Sequence, residues 1–118
     1  MKCSASLIIS LLVYGLPAAA QQPVVKYDGF VDVCRKSLIM GWAKNGKLAV
    51  PVTLVVNGRT VATIKPNMPR NDVVKDYPGT DLNTGFRYDT TTVELNDRVE
   101  VKFPNGSNLA GSPCKVIP

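Results

Sequence analysis

The sequence predicts an all-β domain, an antiparallel sandwich of about seven short strands closed by one disulfide. Three observations carry this. Alternation of apolar and polar residues with a period of two recurs along the chain, while no segment after the N-terminal stretch holds a 3.6-residue period over three turns. Turn signals punctuate the sequence at short intervals: Lys44-Asn45-Gly46, Pro66 to Pro69, Pro78-Gly79, Asn96-Asp97 and Asn105-Gly106. Two cysteines, Cys34 and Cys114, stand near the two ends of the region that alternates.

In chain order, a first strand is expected over Phe30–Cys34 and a second over Ser37–Ala43. The segment VTLVVNGRTVATI, Val52 to Ile64, reads as a β-hairpin, because Asn57-Gly58 suits the positive φ values that a type I′ turn requires. Pairing outward from Val56 opposite Arg59 sets Leu54 opposite Val61. Val52, Leu54, Val56 and Val61 then share one face, with Thr53, Thr60 and Ala62 on the other. Val73 to Tyr77 fits one helical turn capped by Asp72. A strand over Gly85–Thr92 directs Phe86 and Tyr88 inward. In Arg98 to Phe103, Val99, Val101 and Phe103 point in while Arg98, Glu100 and Lys102 point to water. A last short strand covers Cys114 to Ile117. The spacing is immunoglobulin-like in the broad sense.

The first twenty residues have the layout of a secretory signal: Lys2, an apolar run from Leu7 to Val13, then Pro17 and three alanines. The run is far shorter than the roughly 20 residues that span a bilayer. Cleavage before Gln21 is expected, which makes the protein secreted or periplasmic, with no stable membrane insertion afterwards. Of the 118 residues, removal of 1–20 leaves a single domain over 21–118, 98 residues long, and takes Cys3 with it. The remaining pair, Cys34 and Cys114, then forms one disulfide, as expected of an even pair in an oxidising compartment. Thirteen basic residues against nine acidic leave a modest +4. The basic residues are scattered and lack aromatic interleaving, so a nucleic-acid surface is not expected.

Little in the chain looks like catalysis. There is no histidine, which excludes Ser-His-Asp and Cys-His schemes and His-ligated metals. No two acids stand out as a glycosidase pair, and phosphate-binding glycine loops are missing. Asp76, Asp81 and Asn83 could offer oxygens to calcium, but their spacing matches no EF-hand loop and suits turn chemistry better. Asn105-Gly106-Ser107 is formally an N-glycosylation sequon on a turn. The reading is therefore a non-catalytic module without cofactor or metal.

The candidate ligand or partner surface comprises Arg70, Asp72 and Tyr77. Arg70 and Asp72, two residues apart in an irregular segment, could hold an anion or sugar hydroxyls. The structural reading is preferred, with Arg70 bridging to carbonyls of a neighbouring loop and Asp72 capping the turn. Tyr77 and Tyr27 are the aromatics available for stacking on a glycan. The single tryptophan, Trp42, shares a face of its strand with Leu38 and Met40, while Gly41 and Ala43 occupy the other. Trp42 is therefore expected to plug the core.

Six fragments in order, YDGFVDVC (Tyr27 to Cys34), GWA (Gly41 to Ala43), PVTLVVNGRTVAT, PRNDV (Pro69 to Val73), GF (Gly85-Phe86) and LAGSP (Leu109 to Pro113), resemble a small bacterial β-sandwich module. That module recurs in exported proteins and is appended to glycosyltransferase-like and other surface-polysaccharide enzymes. The resemblance implies an accessory role without catalysis. It marks Gly41, Trp42, Arg70, Asp72, Gly85, Phe86, Gly111, Ser112 and Pro113 as framework positions. Unlike the commoner setting, this chain stands alone behind a signal and carries a cysteine pair. The function expected is binding, to a protein partner of the envelope or secretome or, alternatively, to carbohydrate, with an enzyme inhibitor or hydrolase as the outside alternative.

Overall fold

In the computed structural model the described residues are 25–118; the export signal read over 1–20 and its cleavage point before Gln21 lie outside them. Eight strands and one short helix form: β1 (Tyr27–Arg35), β2 (Leu38–Asn45), β3 (Leu48–Ala49), β4 (Val52–Val56), β5 (Arg59–Ile64), α1 (Asn71–Asp76), β6 (Gly85–Asp89), β7 (Arg98–Lys102) and β8 (Cys114–Lys115). They build two four-stranded antiparallel sheets. In the first, β2 pairs with β1 along one side and with β6 and β3 along the other. The second has the order β5-β4-β7-β8. The all-β sandwich expected from sequence is thus the observed architecture, with the two-residue β3 as an addition.

The hydrophobic core joins Val31, Ile39, Ala43 and Phe86 of the first sheet to Val52, Leu54, Val99 and Val101 of the second. Val93, Phe103, Leu109 and Val116 complete it, and Val99 and Val101 face inward as alternation required. The disulfide Cys34–Cys114 ties the end of β1 to the start of β8, Cα atoms 6.5 Å apart, and so links one sheet to the other.

The β4–β5 hairpin turns at Asn57 and Gly58 with φ of 50° and 84°, both positive as a type I′ turn demands. Asn57 is also pinned to the second sheet's central strand. Its backbone N–H donates to the Arg98 carbonyl (2.8 Å), its amide donates to Asp97 (3.0 Å), and its side-chain oxygen accepts the Arg98 N–H (2.9 Å).

Two expectations about facing are corrected. A β-bulge shifts the hairpin register, so Leu54 pairs with Ala62 and Val61 is the extra residue. Ala62 packs on the core instead, and Val61 is exposed. The larger correction concerns β2, whose inward side chains are Ile39, Gly41 and Ala43; Leu38, Met40 and Trp42 lie on the outer face and are half-buried. The reason is bulk. The Phe86 ring sits against Gly41, where an added Cβ would come within 2.8 Å of it. Leu109 packs against Gly29, the partner of Ala43 across the strands. Large side chains from other elements fill the space there, so β2 must present small residues at 41 and 43, while Ile39 has room to pack in the core.

Candidate interaction site

The chain between Ile64 and Gly85 leaves the second sheet, crosses the outer face of the first and returns into β6. Sequence explains its irregularity: Pro66, Pro69 and Pro78 break any strand, and α1 lasts six residues. Its entry is fixed at Met68 and Gly85, which exchange backbone hydrogen bonds of 3.1 and 2.9 Å.

Arg70 is the bolt that holds this segment down. Its Nε and Nη2 donate to the two carboxylate oxygens of Asp72 at 2.9 and 2.7 Å, and its Nη1 donates to Asp32 at 2.6 Å. Asp32 is available because a bulge in β1 between Val31 and Val33 leaves it without a partner in the ladder. The arginine stem runs over Gly85, where a Cβ would lie 2.9 Å from Arg70 Cγ and from the Met68 carbonyl. The backbone is held as well, the Arg70 N–H donating to the Leu82 carbonyl at 2.9 Å. Only 19% of the Arg70 side chain is exposed.

Arg70 was expected to bridge to loop carbonyls; its guanidinium binds the carboxylates of Asp72 and Asp32 instead. The cap is corrected too. Arg70 itself stands at the N-cap of α1 without a side-chain cap bond, and Asp72 lies in the first turn. Its carboxylate is taken by the guanidinium and does not cap. The bidentate bond to Asp72, then the bond to Asp32, raises the Arg70 pKa above its ordinary value, whereas Arg70 lowers Asp72 to about 2.

At the other end of α1, Tyr77 closes the helix, its N–H donating to the Val73 carbonyl at 2.8 Å. Its ring lies 5.9 Å from that of Trp42, tilted by 48°, and the Lys44 ammonium sits 4.1 Å from its centroid. Lys44 is on the outer face of β2, two residues beyond Trp42, and its side chain is only 8% exposed. Its Nζ donates to the Gly46 carbonyl at 3.1 Å and approaches Asp28 at 3.9 Å. The Asp28 carboxylate, by hydrogen bonding and by charge, raises the Tyr77 phenol pKa. The indole predicted to plug the core instead supports the loop.

Beyond Tyr77 the loop is fastened to the β2–β3 turn. The Thr80 N–H donates to the Tyr77 carbonyl (3.2 Å), and the Asp81 N–H donates to the Lys47 carbonyl (2.7 Å). Lys47 lies along Gly79, whose φ of 86° requires glycine. Around this junction three large apolar side chains face solvent: Leu48 at 69%, Leu82 at 43% and Tyr77 at 40% exposure.

The remaining framework positions are structural. Phe86 is fully buried against Gly41. Gly111 adopts φ 82° beneath Val31, and the Ser112-Pro113 peptide is cis. The Ser112 hydroxyl accepts the Val101 N–H at 2.8 Å, extending the β7 edge past the end of β8. Asn105 accepts bonds from the N–H and hydroxyl of Ser107, 3.0 and 2.6 Å, at an exposed turn. Asp81 accepts the Asn83 N–H at 3.3 Å, the turn role weighed against calcium. Among the described residues no group of three or more His, Cys, Asp or Glu is placed to hold a metal ion.

The structure thus joins Arg70 to Asp72 and places Tyr77 at the far end of the same helix, among other partners. Sequence reasoning missed Lys44, Asp28, Asp32, Leu48 and Leu82. The acids had left a signal: in YDGFVDV they alternate with the inward Gly29 and Val31, and so mark the outer face that the arginine needs. What these features define is a disulfide-linked β-sandwich carrying a locked surface loop. Compared with known proteins, the chain matches no family profile, no curated protein and no solved structure.

Proposed function

We propose that the chain is an exported, non-catalytic interaction module that docks on a protein partner of the cell envelope or secretome. The contact surface is the junction of Tyr77, Leu82 and Leu48. One observation carries this reading: three large apolar side chains are exposed around a loop that its own hydrogen bonds hold in place. Exposed apolar groups on a rigid support, with an aromatic among them, suit a hot spot, because little conformational freedom is lost on binding. Arg70, Asp72, Trp42 and Lys44 serve as its foundation.

Pull-down with the mature protein from periplasm or culture medium should recover one stoichiometric partner. Leu82→Asp and Leu48→Asp should each abolish capture while leaving the thermal melt in place, since both side chains are exposed. Repeated absence of a stoichiometric partner, or capture that both variants leave intact, sinks the reading. The carbohydrate alternative rests on Tyr77 and Tyr27, but the Tyr27 ring is stacked on Phe103 at 4.9 Å against the core, and Tyr77 is tilted by 48° to Trp42, so there is no shared flat platform. It predicts instead that binding on a glycan array is lost in Tyr77→Ala and kept in Leu48→Asp.

A further inference from the structure

At the disulfide end of the molecule, away from the loop above, the sandwich is left open. A groove of about 420 Å3 lies between the β4–β5 hairpin and the 92–97 crossover into β7, within the range of roughly 300–1,000 Å3 seen for ligand sites. Its apolar lining is Val56, Val61 and Val93. Val61 is there because of the hairpin bulge: as the extra residue it is left out of the ladder and lines the groove. Arg59, two residues earlier, lines the same groove and makes no ion pair among the described residues.

The walls are preformed. Asn57 and Asp97, one on each side, are hydrogen-bonded at 3.0 Å, and Asp97 also accepts the Glu94 N–H at 2.9 Å. The strand beside the groove is an edge. β5 ends the order of the second sheet, so its outer side has no strand partner among the described residues. An edge with unused hydrogen-bonding groups next to an apolar trough is the arrangement used when an extended peptide adds to a sheet.

The geometry points to this groove as a second recognition site, one that takes an extended acidic peptide segment of a partner protein as an added strand along β5. The occupant's chemistry follows from Val61 and Arg59, because Asp97, the other charged residue of the lining, is already held by the Asn57 amide and the Glu94 N–H. Val61 and Arg59 both line the groove, so an antiparallel strand laid along β5 brings an apolar side chain to Val61 and, about two residues later, another to Arg59. That second side chain must be a carboxylate to match the guanidinium, giving the pattern apolar–x–acidic. The chain's own N-terminal segment is a poorer fit for the position. It enters β1 at Lys26, whose N–H donates to the Asn45 side chain at the opposite end of the sandwich, about 30 Å away along a nine-residue strand.

The test uses the mature protein, isotope-labelled, titrated with acetyl-TVTDT-amide and, in parallel, acetyl-TVTKT-amide. The acidic peptide should shift the backbone amide resonances of Arg59–Ile64 saturably. The basic peptide should bind about ten-fold more weakly or not at all. Arg59→Glu should reverse that preference, and Val61→Asp should remove binding of both peptides. All of these side chains are exposed, so the variants should fold. Equal shifts with the two peptides, or no shifts in β5, overturns the proposal. So does concentration-dependent dimerisation of the peptide-free protein that protects the β5 amides, because a second copy would then be the occupant. Loss of this site leaves the Tyr77 surface intact, and the Leu48→Asp variant should bind the acidic peptide normally.

Discussion

The outer faces of the two sheets are built on different rules. On the second sheet, Arg98, Glu100 and Lys102 stand along β7, with Glu100 between the two cations at 3.2 and 3.6 Å. Thr53 and Thr63 continue the row from Lys102 across β4 and β5. On the first sheet, the outward residues of β2 are Leu38, Met40 and Trp42, followed by Lys44, and the chain lays its own segment across part of them. Where polar and apolar residues alternate, the pattern assigns the faces. Where both faces are apolar, it says only which residues share a side, and the volume left between the sheets decides which side goes in. Gly41 and Ala43 went in on β2 because Phe86 and Leu109 had taken the room, with Ile39 packing beside them.

That contrast can be broken by truncation. Phe86→Ala should cost about 3–5 kcal/mol in a denaturant melt, as for other buried aromatics. Trp42→Ala, although the larger deletion, should cost only about 1–2 kcal/mol, because the indole is half-buried. Equal costs would mean that Trp42 belongs to the core after all. Trp42→Ala should also release Tyr77, seen as faster exchange of the amides of residues 77–82.

Thr84 lies where the covering segment rejoins β6, and its hydroxyl is buried without a hydrogen-bond partner. Thr84→Val keeps the shape and removes the orphan, so stability should rise by about 1 kcal/mol. A loss of stability would mean that the hydroxyl is satisfied by water. The smallest effect expected is in acid. Asp72 has a folded-state pKa of about 2 against an ordinary 3.8, so its contribution is complete above 3.8 and is lost as pH falls through 2. The carboxylate is largely exposed, so the change is small. Asp72→Asn should flatten the melting temperature over that interval and lower it slightly, by the same small margin, at neutral pH; an unchanged acid profile would remove the ion pair from the segment's anchoring.

Much of the architecture was legible from local chemistry. Asn57-Gly58 fixed the hairpin, Arg98 to Phe103 fixed a strand with its faces, and the cysteine spacing matched the ends of the first and last strands. The bulges were not legible, because an extra residue in a ladder depends on the neighbouring strand, and they moved Val61 out and freed Asp32. Of the candidate site, Arg70 and Asp72 stood out by their spacing, but with separate partners expected and not their bond to each other. Their third partner, and the meeting of Tyr77 with Trp42 and Lys44, required two distant segments to be brought together. Leu48 and Leu82 carry no pattern; they matter only because the Lys47 turn and the 77–84 loop touch.

The bond between Cys34 and Cys114 joins positions 80 residues apart, and the crossing segment, the β4–β5 hairpin and the 92–97 loop all lie inside that span. A protease that nicks any of these loops therefore separates no fragment: the pieces stay covalently joined through the sulfurs. Such damage would pass unseen on a non-reducing gel and appear as two bands once reductant is added. The molecule can lose the continuity of its chain at its most accessible loops and still hold both sheets together.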